Sequence, residues 1–275
     1  MKIAFCTCVK IGKSCIEAVH SIGGKFELFL TLHDHKSTKK SGRIYLDELA
    51  KKSNTPLYKL NHINDLDVSN KLLEYEIDWL FLIGWSQIAS PQLLKIPSKG
   101  IIGAHPTLLP MGRGRAAIPW AILKDLDKTG VTFFKMDEGV DTGEILDQIE
   151  IPIPYNENAT SLYSKVNEAH VSLIKQIWPK LILNSIKGVK QDESIATYWE
   201  GRKPEDGELN STLTVSEVDR LVRATTYPYP GAYIKNTDGS KIIIWSGSIT
   251  PNKDSKPLQF IDGCFYADNI EIVQK

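Results

Sequence analysis

The chain has 275 residues, enough for one good-sized domain and a small second one, and its 33 basic side chains balance 33 acidic ones. An ordinary apolar and charged content excludes a disordered or fibrous protein, and a net charge of zero argues against a broad nucleic-acid footprint, which needs a basic face. No apolar run approaches the ~20 residues that span a bilayer, and Met1-Lys2-Ile3-Ala4-Phe5 lacks the pattern of a signal peptide. The expectation is a cytoplasmic protein with neither membrane nor nucleic-acid partners.

In chain order, Lys2–Cys6 reads as a short buried strand and Lys13–Ile22 as a helix. Phe26–Leu32 is a second strand, and a Ser-, Lys- and Gly-rich loop (Lys36–Gly42) leads to a helix over Leu46–Lys52. Pro56–Leu60 suits a strand, Val68–Glu76 a helix, and the uninterrupted Asp78–Ile83 a central strand buried on both faces. Lys99–Ala104 is a further strand. This β-α-β rhythm predicts an α/β fold, a doubly wound, mostly parallel sheet of Rossmann-like type. The turn after the first strand carries only Gly12, so the G-x-G-x-x-G dinucleotide fingerprint is missing.

Thr129–Lys135 and Ile145–Ile153 are β-rich runs around Met136–Glu144. A long helix is expected from Ala159 to about Ile186, with an apolar stripe at three- and four-residue steps and a kink or break at Pro179. Beyond it, Thr214 and Glu217 have capping-box spacing. Ala232–Ile234, Lys241–Ser246, Leu258–Phe260, Cys264–Tyr266 and Ile270–Val273 read as short strands. The expected organisation is a catalytic domain at 1–188, a linker at 189–208 and a small β-rich module at 209–275, the last a candidate dimer surface.

Two segments carry the chemistry. In Gly100-Ile-Ile-Gly-Ala-His-Pro-Thr-Leu-Leu-Pro110, His105 follows a buried strand, at the sheet edge where open α/β folds hold ligands. A histidine there serves as an acid or base near neutral pH, or it is a loop residue satisfied by a carbonyl; both readings stand. In the second segment, Asp137, Glu138 and Asp141 occupy a glycine-containing loop between strands. One of them orients His105, as acids do in triad-type sites, or the loop is a solvated acidic turn. Metal is not expected: His33-Asp34-His35 is a weak ligand set, and Cys6, Cys8, Cys15 and Cys264 match no zinc or redox spacing.

Four ordered matches, His105-Pro-Thr-Leu-Leu-Pro110, Arg113-Gly114, Gly130-Val-Thr132 and Asp141-Thr-Gly143, resemble the folate-dependent formyltransferase family. That family includes glycinamide ribonucleotide transformylase, methionyl-tRNA formyltransferase and the sugar-nucleotide N-formyltransferases. The likeness continues through Arg202–Gly207 and Arg223–Ala232. It implies attack of a substrate amine on the formyl carbon of 10-formyltetrahydrofolate as co-substrate. His105 would move the proton, and Asp141 would hold the imidazole and favour its charged form. The pterin would lie against Gly84, Trp85, Ser86, Gln87 and Ile88, and against Asp137, Gly139 and Val140.

The family's third catalytic residue, an asparagine two positions before the histidine, is Gly103 here. Its role is to hold the formyl oxygen, and losing such a donor costs about 10²–10³ in rate. Three explanations compete: Gln87 or Ser86 replaces it, a water fills the space, or the chain binds folate without turnover. Arg113, Arg115 and Trp120 offer guanidinium groups for phosphate and an aromatic face for a base or sugar. Their segment looks most like the branch that formylates 4-amino sugars on UDP, on the route to nonulosonic acids such as pseudaminic acid. Methionyl-tRNA formyltransferase is the alternative, disfavoured by electrical neutrality and a short C-terminal module.

Overall fold

A computed structural model describes residues 1–36 and 42–274, so most of the polar loop after Lys36 lies outside the described residues. The chain divides into two compact units. The first holds Met1–Arg113, Gly130–Glu150 and Val166–Tyr198; the second holds Gly114–Thr129, Ile151–Lys165 and Trp199–Lys275.

The first part of the chain alternates as expected: β1 (Ile3–Cys6), α1 (Lys10–Ser21), β2 (Leu28–Leu32), α2 (Asp47–Ser53), β3 (Leu57–Leu60), α3 (Leu66–Glu74), β4 (Trp79–Leu82), α4 (Pro91–Leu94) and β5 (Gly100–His105). Then come β6 (Arg113–Gly114), α5 (Ala117–Leu123), β7 (Lys128–Lys135), β8 (Ile145–Pro152), α6 (Ala159–Ile182) and β9 (Tyr198–Trp199). Seven strands form one sheet in the order β3-β2-β1-β4-β5-β7-β8. The five N-terminal strands run parallel, and β7 pairs antiparallel with β5.

Strand alternation sorts the core onto two faces. Ala4, Cys6, Leu28, Leu30, Leu80 and Leu82 pack with Val68 and Leu72 of α3 and Leu93 of α4. On the other face Phe5 stacks on its register partner Phe81, with ring centres 5.5 Å apart. Phe81 then meets Phe133 edge-on, and Phe26 meets Trp178 of α6. The order reverses between β1 and β4, and the strand ends there are where doubly wound sheets bind ligands. Gly84 follows the end of β4, and His105 closes β5.

Helix α6 ends at Ile182, short of the expected Ile186, and Pro179 does not divide it. Leu173, Ile174, Ile177, Trp178 and Leu181 are all buried, and this continuous apolar stripe outweighs the one backbone bond the proline removes.

In the second unit, α7 (Val215–Thr225) starts at a capping box. The Thr214 hydroxyl accepts from Glu217 N–H, and Glu217 accepts from Thr214 N–H. After it, β10 (Ala232–Lys235), β11 (Lys241–Ser248), β12 (Lys256–Phe260) and β13 (Gly263–Val273) form a sheet in the order β10-β11-β13-β12. The two strands expected within 264–273 are one. The polar Asp268-Asn269 step does not end the strand, because the pairing with β11 shifts register between Ile244 and Gly247 and absorbs it. Val218, Val222, Ala232, Ile244 and Phe265 make this unit's core.

Candidate active site

His105 is the last residue of β5, paired in register with Thr132 of β7, and only 7% exposed. Its Nε2–H donates to the Gly112 carbonyl at 2.7 Å. A carbonyl accepts only, so this bond assigns the proton to Nε2 and leaves Nδ1 as the nitrogen that can exchange one. Nδ1 faces Asp141 Oδ2 at 3.4 Å, an ion pair when the ring is protonated. A charged imidazole would thus have an acceptor at each nitrogen.

The loop that carries Asp141 is shaped by its own side chains. Asp137 Oδ1 accepts from Gly139 N–H at 3.0 Å and from the Thr142 hydroxyl at 2.6 Å, folding the turn back on itself. Asp141 adopts the left-handed region at φ +56°, which aspartate tolerates better than most residues. At Gly143 a Cβ would sit 1.7 Å from the Lys135 carbonyl oxygen, so only glycine lets the loop rejoin the strand there.

The remaining motif residues hold loops in place. The Thr132 hydroxyl accepts from Leu109 N–H and Gln148 Nε2 and donates to the Thr107 carbonyl, fixing the strand-end loop. Arg113, expected at a phosphate, is fully buried. Its guanidinium donates to Gln191 Oε1 from Nε and Nη2, to both Glu193 oxygens from Nη1 and Nη2, and to the Tyr198 hydroxyl from Nη1. That set accounts for all five of its N–H groups, so the structure commits Arg113 to internal bonds rather than to phosphate. The salt bridge holds the Glu193 carboxyl below its usual range. Thr132 stands in a motif, whereas Gln148, Gln191, Glu193 and Tyr198 carry no signal in the sequence, since their partners lie far along the chain.

At Gly103, a Cβ would meet the Phe134 ring at 2.9 Å and Met136 Cγ at 3.1 Å. The first atom of the family asparagine's side chain would thus meet space that Phe134 and Met136 already fill. Gln87 is also engaged: its oxygen accepts from Ile63 N–H at 2.8 Å and its amide donates to the Asn61 carbonyl. In the same loop, Gly84 has φ +66°, Ser86 and Ile88 are exposed, and Trp85 Nε1 is buried without a hydrogen-bond partner among the described residues. Val140 of the Asp137–Asp141 loop is 51% exposed.

Arg115 and Trp120 belong to the second unit. Arg115 is exposed, and Trp120 is half-buried with its Nε1–H donating to the Glu200 carbonyl at 2.8 Å. Arg202 and Lys124 lie over its ring at 5.1 and 5.3 Å, so the indole already carries two cations. Among the described residues, no cluster of His, Cys, Asp and Glu could hold a metal, and no helix is long and apolar enough to cross a membrane.

A second histidine, His170, lies under the first unit's sheet against Phe133 and donates from Nδ1 to the Val166 carbonyl at 2.7 Å. Burial pushes its pKa down to about 4, with nearby His105 lowering it further and the Val166 bond opposing. The ring is therefore neutral in the fold, while the unfolded chain takes up a proton below about pH 6.5. Its stability contribution is complete above that pH and falls away as the pH drops from about 6.5 towards 4, by about 3 kcal/mol in all. Urea unfolding of wild type and His170→Leu between pH 7 and 4 checks this: the variant should lose most of the slope, and an unchanged slope would refute the assignment.

A family model described as "Formyl transferase" matches residues 11–177, and one described as "Formyl transferase, C-terminal domain" matches residues 202–270. The bifunctional polymyxin resistance protein ArnA of Wigglesworthia glossinidia brevipalpis is 31% identical over 244 residues, 87% of this chain. Those residues are 36% of ArnA, so the chain spans about a third of that relative's length. Among solved structures, an N-formyltransferase from Helicobacter canadensis, in complex with folinic acid and dTDP-3-aminofucose, superposes with TM-score 0.70 at 19% identity, covering 97% of this chain and 98% of its own. The methionyl-tRNA formyltransferase of Clostridium thermocellum gives 0.68 at 19% identity with full coverage of both chains. At such identities the likeness is one of fold, which sugar- and tRNA-directed enzymes share. The family match covers more than half of the chain, and the protein belongs to the formyl transferase family.

Proposed function

We propose that this chain is an enzyme that transfers a formyl group from 10-formyltetrahydrofolate to the amine of a nucleotide-linked amino sugar, a UDP-linked 4-amino-deoxy sugar being our first choice. The observation that carries the catalytic part is the pairing of buried His105 with Asp141 at the sheet edge, between two loops that the family match covers. In the reaction a bond forms between the amine nitrogen and the formyl carbon, and the bond from that carbon to the folate nitrogen breaks. His105, anchored through Nε2, accepts the amine proton at Nδ1 and returns it to the departing nitrogen. Asp141 offsets the charge while the ring holds that proton.

The chain's residues suit a folate. Trp85 Nε1 in the loop Gly84–Ile88 is a buried donor without a protein partner among the described residues, and the pterin would lie against that loop and Asp137–Asp141. Arg115 and Trp120 retain their assignment to the nucleotide-sugar by their chemistry, an exposed guanidinium and a half-buried indole. A zero net charge favours a small molecule over tRNA.

Mass spectrometry of products tests the choice. The protein is mixed with formyl donor and, in separate reactions, UDP-, dTDP- and GDP-linked amino sugars and charged initiator tRNA. Formylation of a UDP-linked 4-amino sugar is expected. Formylation of the tRNA alone would overturn the sugar reading, and no product from any acceptor would favour a folate-binding protein without turnover.

A further inference from the structure

We infer that Gln191 is a positioning residue for catalysis, holding the Asp141 turn so that its carboxylate faces His105, with Arg113 as its anchor. The inference rests on the reading of His105 and Asp141 as the proton-transfer pair, and it assigns a chemical role to a residue that the sequence places in a linker.

Gln191 Nε2 donates to the Asp141 carbonyl and to the Gly143 carbonyl, both at 2.7 Å. Gln191 Oε1 accepts from Arg113 Nε at 3.1 Å and from Nη2 at 2.8 Å. All four hydrogen-bonding positions of the amide are thus filled. Arginine only donates and a carbonyl only accepts, so the amide has one workable orientation. It clips the two backbone carbonyls that flank Thr142, directly after the left-handed step at Asp141.

The anchor is rigid for a physical reason. Arg113 is fully buried and held bidentately by Glu193 at 2.7 and 2.8 Å, with the Tyr198 hydroxyl on Nη1. The Arg113 backbone bonds to the Thr197 carbonyl, and the neighbouring Gly112 supplies the carbonyl that fixes His105 Nε2. One linked set of bonds therefore sets both members of the pair. His105 is fixed through Gly112, and Asp141 is fixed through Gln191 and Arg113. The His105–Asp141 separation is already 3.4 Å, so a small slip of the turn would break the pair.

Gln191→Glu is the discriminating variant. It keeps the acceptor for Arg113 but turns a carboxylate oxygen on the two carbonyls where an N–H₂ had been. Gln191→Met removes both functions at similar volume. A displacement of about 1 Å at a catalytic group can cost 10²-fold, so kcat is expected to fall about 10–10²-fold in both variants. Folate affinity and melting temperature should stay near wild type in at least one of them. The His105 ring titration, followed by NMR without substrate, should move towards that of Asp141→Asn. Wild-type kcat and titration in folded Gln191→Glu would overturn the inference. So would a fall in melting temperature with kcat per folded molecule unchanged, since that marks a purely structural role. If His105→Ala and Asp141→Asn themselves transfer formyl at the wild-type rate, the catalytic-pair reading fails instead, a separate outcome from failure of the clamp.

Discussion

His105→Ala is expected to lower the rate of formyl transfer by about 10²–10⁴-fold, the usual contribution of a positioned acid or base, while folate affinity changes little. The expectation follows from where the ring's two nitrogens point. Nε2 is tied to Gly112, which fixes the ring without using its exchangeable nitrogen. Nδ1 is free to take a proton on the side where Asp141 offsets the charge. Alanine removes the relay but leaves the backbone groups of Gly84–Ile88 and Asp137–Asp141 that are proposed to meet the pterin. Single-turnover kinetics at saturating donor, paired with a folate titration of the same variant, separates the two effects. Transfer at the wild-type rate would remove His105 from the chemistry. A parallel loss of folate binding would show that the ring supports the pocket rather than the proton.

Much of this architecture is legible in the sequence because hydrophobic runs set strands and the long β-α spacing forces parallel pairing. The strand Trp79–Leu82 and the capped helix after Thr214 are cases where local pattern and final structure agree. The site is legible in part. His105 and Asp141 stand in motifs, and the structure brings them within 3.4 Å across 36 positions of chain. What holds them is not legible. Nothing about Gln191 or Glu193 in a polar stretch announces a buried arginine partner 78 or 80 residues away. Arg113 itself misleads for the same reason: a guanidinium next to glycine suits a phosphate and a carboxylate equally well, and only the tertiary fold decides which it meets. The merged strand at Gly263–Val273 is missed because a register shift against β11, a non-local event, rescues its polar step.

Gly103→Asn, which restores the family asparagine, is expected to destabilise the protein by about 1–5 kcal/mol and to give no gain in rate. The backbone does not forbid the change, since Gly103 lies outside the positive-φ residues. Leaving glycine in a strand is worth about 0.5–1 kcal/mol. Against that, a Cβ would stand 2.9 Å from the Phe134 ring and 3.1 Å from Met136, and overpacking of this kind costs about 1–3 kcal/mol. An amide driven into the buried space between them loses its hydrogen bonds to water, a further cost of about 1–3 kcal/mol. The costs win. Phe134 is the cross-strand register partner of Gly103, so the two positions share one volume, and in the double variant with Phe134→Ala the asparagine should cost less than it does in the single one. That double variant also asks what holds the formyl oxygen. If another group of the native site already does, the added asparagine leaves kcat at or below wild type. A rise approaching the 10²–10³-fold that one oxyanion donor supplies, in the double variant and not in the single one, would show instead that the native site works without such a donor and that Phe134 keeps it out.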